Sequence, residues 1–180
     1  LTPVDVILAV AGDLVRADDV AGPVVARIDR NPLTIGAEAY NRLHAKMRNV
    51  NDILGWGHAR VIENMLAKVD CPKAISDQFG NKNIVLKALM ARGKKIKLVQ
   101  RHKAESDLAV AAASILARDE FVRRLKRLGK ECGVALPKGA SQAVIEAGRE
   151  LVGKHGPDAL AKVAKMHFRT AQVVLQKVGA

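Results

Sequence analysis

Two acidic residues stand where predicted strands of this sequence end. Asp77 follows the predicted strand residues 74–76, and Glu105 comes shortly after a basic strand. In an open α/β sheet, ligands collect beyond the carboxyl ends of the strands. Mg²⁺ takes few protein carboxylates and completes its shell with water and phosphate oxygens, and two such ions can activate a water against a phosphodiester. The structural alternative is that Asp77 caps the following helix and Glu105 pairs with Lys103 or Arg101.

The positive charge of the chain is unevenly distributed. The sequence contains 30 Lys and Arg against 18 Asp and Glu, a net charge of +12. Residues 1–40 carry three cations against six carboxylates, a net of −3, so the remaining residues carry +15. The densest cationic stretches, 94–103 and 118–130, predict a surface that attracts phosphate backbones, although a solvated face that only aids solubility has the same composition. Since only 3% of the residues are aromatic, the chain is not typical of proteins that bind single strands by stacking.

Composition excludes several other classes of protein. With 180 residues and 49% apolar content, the chain is predicted to fold as a single domain and not to be disordered. No apolar run approaches the roughly 20 residues that span a bilayer, and the start of the chain has no basic segment typical of a signal peptide. Cys71 and Cys132 predict reduced thiols in the cytoplasm. No protein partner is evident, and the missing initiator Met indicates a trimmed or partial chain.

Hydrophobic periodicity predicts alternating strands and helices. The residues 6–11 fit either a buried strand or part of a short helix that begins at Thr2. Further strands are predicted at 33–35, 73–77 and 96–100, and helices at 38–46, 58–69, 83–91, 106–128, 142–153 and 158–166. Gly129 and Gly133 are predicted to end the helix 106–128. Strands that alternate with helices indicate parallel pairing through crossover helices, and therefore an α/β fold.

Several segments of the sequence together resemble one family. The chain is similar to the type-three ribonuclease H, ribonuclease HIII, of the ribonuclease H2 superfamily, in unbroken order from about residue 33 to 170. The segments that carry the resemblance are 35–36, 38–41, 49–51, 56–64, 76–79, 103–105, 110–118, 136–140 and 164–168. The resemblance implies a ribonuclease H-like mixed sheet flanked by helices, with a helical C-terminal part.

The resemblance also implies a chemistry. The family cleaves the RNA strand of RNA/DNA hybrids with Mg²⁺ or Mn²⁺, by means of an Asp-Glu-Asp-Glu set. The third and fourth members of that set fall on Asp77 and Glu105, which become the candidate catalytic and metal-binding residues. Lys103, Ser114 and Lys138 match positions near the substrate backbone. The candidate nucleic-acid-binding residues are therefore Lys103, Ser114, Lys138, Arg101, Asn49 and Asn51.

Residues 1–32 match the family poorly. One alignment places Asp13 in the first catalytic position, but Leu14 then stands where the family has Glu. A second alignment, which we prefer, places residues 13–30 on a later Asp-Ser-Lys segment, where Asp19 also fits, and implies that the Asp-Glu strand is missing. The family's amino-terminal TATA-binding-protein-like domain has no counterpart in this chain. We therefore expect poor cleavage by these 180 residues, and an alternative is a homologue that binds hybrid or other nucleic acid without cutting.

Overall fold

The computed structural model describes residues 6–8 and 33–176, with side-chain surroundings from residue 33 onward. This part of the chain is a helix-rich mixed α/β structure. Its strands are β1 (Val6–Leu8), β2 (Leu33–Ile35), β3 (Lys73–Asp77) and β4 (Lys97–Arg101). Its α-helices are α1 (Ala37–Met47), α2 (Val50–Leu66), α3 (Asn83–Ala88), α4 (Leu108–Cys132), α5 (Gln142–His155), α6 (Ala159–Val163) and α7 (Arg169–Gln176). The predicted fold class, an α/β structure with a helical C-terminal part, is confirmed.

The strands form two pairs. β1 pairs with β2, and β3 runs parallel to β4 with Lys73 opposite Lys97 and Asp77 opposite Arg101. The strand interpretation of the residues after Asp5 is therefore confirmed for 6–8. The parallel pairing requires a crossover between the strands, which α3 and a 3₁₀ turn at Gly93–Lys95 provide. Both carboxyl ends consequently lie at one edge of the pair.

The chain divides into two compact units. Among the described residues, one unit takes in Thr34–Arg48 and 120–176, and the other takes in Asn49–Asp119, so that α4 contributes residues to both. The prediction of a single domain stays a prediction. No helix in the described part of the chain has the length and apolarity needed to cross a membrane. Cys71 and Cys132 are free thiols, as the sequence predicts.

The unit of Asn49–Asp119 is built around α2. Asn49 caps this helix by accepting a hydrogen bond from the backbone N–H of Asn51 at 2.9 Å. Gly55 allows α3 to approach closely, because a Cβ at this position would lie 2.5 Å from Cγ2 of Ile84. Nearer the end of the helix, the buried carboxylate of Glu63 accepts the backbone N–H groups of residues 92 and 93 at 3.1 and 3.0 Å. These contacts hold α2, the helix that precedes β3 in the chain, in place.

The other unit packs α5, α6 and α7 around a core of Val144, Leu151, Leu160 and Val174. Asn41 of α1 holds the segment that leads into α7. Its amide Nδ2 donates to the carbonyls of residues 161 and 164 at 3.1 and 2.9 Å, and its Oδ1 accepts from the N–H of residue 166 at 3.0 Å. A single amide side chain thus satisfies three backbone groups of one irregular segment.

Several predicted element boundaries are wrong. α2 begins at Val50, well before the predicted residue 58, and α3 ends at Ala88 instead of 91. α4 continues through Gly129 to Cys132, because this glycine serves a close approach and not a helix end: a Cβ there would lie 2.9 Å from the carbonyl oxygen of Val134. The sequence pattern also did not predict α7.

Candidate active site

The carboxyl edge of the β3–β4 pair brings the two predicted acids to neighbouring positions. Asp77 is the last residue of β3, and Glu105 lies in the 3₁₀ turn Ala104–Ser106 that follows β4. Oδ1 of Asp77 accepts a hydrogen bond from the backbone N–H of Ala104 at 3.2 Å. The carboxylate of Asp77 is therefore held against the turn that carries Glu105, one residue from the bonded N–H.

A left-handed residue creates this turn. Lys103 has φ 55° and ψ 42°, in the αL region, which costs an L-amino acid about 1–2 kcal/mol. The turn then continues as a short 3₁₀ helix, with the N–H of Ser106 bonded to the carbonyl of Lys103 at 3.1 Å. The strained backbone thus directs the N–H of Ala104 toward Asp77, and strain of this kind concentrates at functional sites.

The alternative roles of the two acids, a helix cap for Asp77 and an ion pair with Lys103 or Arg101 for Glu105, are wrong. The N-cap of α3 is Lys82, so Asp77 does not cap that helix. Arg101 bonds to Oδ2 of Asp107 at 3.3 Å, and Asp107 also accepts the N–H of residue 109 at 3.0 Å at the start of α4. The carboxylate of Glu105 is exposed and has no partner within residues 33–176. Neither carboxylate is therefore occupied as a helix cap or in a salt bridge.

No sequence pattern singles out His58, whose imidazole contacts the end of β3. Nδ1 of His58 lies 3.1 Å from Oγ of Ser76, and that hydroxyl also bonds to the carbonyl of Asp77 at 3.1 Å. The ring stacks on Phe79 with centroids 5.0 Å apart. Burial lowers the pKa of His58 from 6.5 to about 4, and the charge of Asp77 opposes part of this shift. His58 is therefore a neutral group near pH 7 that ties α2 to the strand end carrying Asp77.

The predicted nucleic-acid-binding residues fall into two groups. Lys103, Arg101, Ser114, Asn49 and Asn51 all belong to the unit that contains the acids, and each has an exposed residue surface. Asn49 has the capping role described above, and Nδ2 of Asn51 lies close to Gly80, in the loop after Asp77. Lys138 is exposed in the loop between α4 and α5 of the other unit. The weakest catalytic candidate of the sequence analysis, Asp13, lies outside the described residues, as does Asp19.

Both acids offer the oxygen donors that a hard divalent cation prefers. Asp77 has one oxygen bonded to a backbone N–H, which leaves Oδ2 for a metal, and Glu105 offers an unpaired carboxylate. Within the described residues, no group of three or more His, Cys, Asp or Glu side chains is arranged to hold a metal ion. Mg²⁺ commonly binds through one or two carboxylates together with water and substrate phosphates. The donor chemistry therefore matches this class of ion.

An α/β scaffold with carboxylates at the edge of a parallel strand pair is the arrangement expected of a metal-assisted nuclease of the ribonuclease H type. A family model described as Ribonuclease HII matches residues 21–171. The chain belongs to the ribonuclease HII family.

Individual relatives agree with the predicted resemblance to ribonuclease HIII, which is confirmed. Ribonuclease HIII of Protochlamydia amoebophila (strain UWE25) is 44% identical over 145 residues, which make up 81% of this chain and 48% of the relative. Ribonuclease HIII of Chlamydia pneumoniae is 47% identical over 135 residues, 74% of this chain and 45% of the relative. The chain therefore spans about half the length of the curated relatives it matches.

Solved structures show the same likeness. The crystal structure of Bst-RNase HIII in complex with Mn²⁺ superposes with a TM-score of 0.73 at 27% identity, over 81% of this chain and 49% of that one. The structure of Aquifex aeolicus RNase H3 gives a TM-score of 0.59 at 28% identity, over 81% and 50% of the two chains. The fold match thus extends over most of this chain and about half of each neighbour.

Proposed function

We propose that this chain carries part of the active site of a ribonuclease H that hydrolyses the RNA strand of RNA/DNA hybrids with Mg²⁺ or Mn²⁺. Family membership and the Mn²⁺ complex of Bst-RNase HIII support this proposal. The observation that carries it for these residues is the hydrogen bond from Ala104 N–H to Asp77 Oδ1, which holds Asp77 beside the turn of Glu105.

Each described residue has a distinct part in the proposed reaction. Asp77 and Glu105 would hold the ion, and a bound Mg²⁺ or Mn²⁺ supplies Lewis acidity and lowers the pKa of a bound water. The N–H of Ala104 fixes one carboxylate oxygen of Asp77, which would leave the other oxygen for the ion. Exposed Lys103 attracts the phosphate backbone, while Asp107 partly neutralises Arg101.

The test is hydrolysis of a labelled hybrid by the 180-residue chain and by Asp77→Asn and Glu105→Gln variants, with Mg²⁺ and with Mn²⁺. We expect slow, metal-dependent cleavage by the unmodified chain, because two carboxylates are few for two ions. Each variant should lower the rate roughly a hundredfold or more, since a catalytic metal contributes several kcal/mol to the transition state. Metal-dependent cleavage that survives both substitutions would overturn the proposal.

A matched control separates the site from general charge effects. Asp70→Asn makes the same chemical change at an exposed position before β3, at the opposite end of the strand from Asp77. It should leave cleavage unchanged. Titration with Mn²⁺, followed by electron paramagnetic resonance, gives a second readout: Asp77→Asn should weaken Mn²⁺ binding, and Asp70→Asn should not.

Cleavage and binding measured side by side distinguish an enzyme from a homologue that only binds nucleic acid, an alternative that none of the comparisons supports. In an enzyme, Asp77→Asn abolishes turnover but leaves hybrid binding in place. In a protein that only binds, cleavage is absent from the start, and the substitution leaves affinity unchanged or raises it as repulsion of phosphate falls.

A further inference from the structure

A polar cavity of about 440 Å³ lies within the unit of Thr34–Arg48 and 120–176. Three helices direct cationic residues to its lining: Arg42 from α1, Arg124 and Arg127 from α4, and Lys162 from α6. The cavity shares no residue with the candidate active site. Its volume falls in the range of ligand-binding pockets, about 300–1,000 Å³, so it is large enough for a phosphate group with its neighbouring sugar.

The charges of the lining residues favour an anion. Four cations stand against two carboxylates, those of Glu38 and Glu131, which leaves a net charge of +2. Glu131 lies 3.8 Å from Nε of Arg127 and so neutralises that cation in part. Within the described part of the chain, Arg42 and Lys162 form neither a hydrogen bond nor an ion pair through their side chains. Two cations of the cavity are therefore available to a ligand.

Arg124 is held in place by a residue outside the lining. Its Nε donates to Oε1 of Glu120 at 2.6 Å, and Arg124 is the half-buried member of the four cations. This bond occupies Nε and leaves the terminal nitrogens of the guanidinium group for other acceptors. A guanidinium group presents its donors in a planar fork that matches phosphate oxygens. The cavity thus combines one oriented guanidinium group with two unpaired cations.

We propose that this cavity binds a backbone phosphate of the nucleic acid, as a phosphate site separate from the acidic edge. The identity of the ligand as nucleic acid rests on the proposed function. A backbone phosphate is favoured over a free anion because Arg42, Arg127 and Lys162 are exposed, so that water screens each contact to a single anion. A polyanion gains counterion release at every phosphate that it contacts.

The main test measures hybrid affinity against salt concentration in EDTA, where no metal-dependent cleavage takes place. Each phosphate contact contributes a slope of about 0.9 in log K against log salt. Because the two side chains contact one phosphate, the double variant Arg42→Gln/Lys162→Gln should lower the magnitude of the slope by about 0.9, equivalent to a roughly three- to fourfold smaller fall in affinity between about 50 and 200 mM salt. Both side chains are exposed or unpaired, so the variant should melt like the unmodified chain.

The matched control removes the same charge elsewhere in the same unit. Lys46→Gln/Lys130→Gln changes two exposed lysines of α1 and α4 that do not line the cavity. Its slope should stay within about 0.5 of the unmodified value. Equal losses in the two double variants would show general electrostatic attraction, and no loss in either would show that the cavity does not contact the backbone; both results overturn the proposal.

A substitution that removes a negative charge from the cavity, instead of a positive one, provides an independent check. Glu38→Gln removes a carboxylate from the cavity, and hybrid affinity at low salt should rise roughly two- to threefold, the effect of one charge at about 7 Å in water. Glu146→Gln changes an exposed residue of α5 that does not line the cavity, and it should leave affinity unchanged. A rise in both variants, or in neither, would contradict the assignment.

The source of the phosphate is tested with inorganic phosphate as the probe. If inorganic phosphate competes with hybrid only at concentrations that act as added salt, a backbone site is supported. If it binds the cavity in the unmodified chain while Arg42→Gln/Lys162→Gln leaves hybrid binding intact, the site takes free anions only and the proposal fails. Since no arm measures cleavage, failure of the nuclease proposal would appear separately, in the Asp77 and Glu105 variants.

Discussion

Replacing Lys103 tests whether the αL conformation of this residue lowers the free energy of unfolding. The residue lies in the αL region with φ 55°, a conformation that costs an L-amino acid about 1–2 kcal/mol and costs glycine almost nothing. Lys103→Gly removes this strain but gives the unfolded chain more freedom, a loss of about 0.4–1 kcal/mol. The difference predicts a net gain of about 0.5–1 kcal/mol in the free energy of unfolding.

Lys103→Ala is the matched variant, because it removes the same positive charge and keeps the Cβ that causes the strain. Urea denaturation of both variants should therefore show the glycine variant to be more stable by about 0.5–1 kcal/mol. Their affinities for hybrid should fall by the same amount, since both lose one cation near the backbone. If the glycine variant is no more stable than the alanine variant, the αL turn does not store strain and our account of how Ala104 is directed toward Asp77 is refuted.

Three further predictions concern packing and ionisation. Gly55→Ala should lose about 1–3 kcal/mol of stability by forcing a Cβ against Ile84, whereas Gly153→Ala, which meets no atom within 4 Å, should gain about 0.5–1 kcal/mol; equal melting temperatures for the two would contradict this. The N–H groups of Gly93 and then Arg92 lower the pKa of the Glu63 carboxyl below 4.5, so its stabilisation is complete above that pH and is lost as the pH falls through the folded-state pKa. The advantage of the unmodified chain over Glu63→Gln in thermal denaturation should shrink accordingly, and a constant difference would argue against it. The pKa of His58 is about 4 in the folded chain against 6.5 when exposed. The free energy of unfolding in metal-free buffer should therefore fall by roughly 3 kcal/mol as the pH is lowered from 6.5 to 4. In urea denaturation, His58→Gln should lose most of this pH dependence.

The sequence predicts the strands of the acidic edge well, and the reason is local. β3 follows Pro72 and ends at Asp77, so a short segment with clear end signals on both sides coincides with Lys73–Asp77. The predicted boundaries of α2 are wrong because Gly55 and Gly57 weaken the helix signal by about 1 kcal/mol each. Packing against Ile84 outweighs that preference, and packing across α2 and α3 is not visible in either segment alone.

The same limit applies to the candidate site. Asp77 and Glu105 could be located because each follows a strand, and the family resemblance assigned them a role. The contact of His58 with Ser76 joins residues 18 positions apart, and no periodicity reports it. α7 has only eight residues, and a helix of this length depends on tertiary packing more than on its own propensity.

The anchor of Asp77 is a peptide group and not a side chain. Every substitution at Ala104 replaces its fully buried methyl group, but only proline also removes the N–H that bonds to Asp77. A survey of single substitutions would therefore attribute sensitivity at this position to crowding, and would overlook that the main chain itself orients the acid. Chemical replacement of the 103–104 amide by an ester would expose that contribution directly.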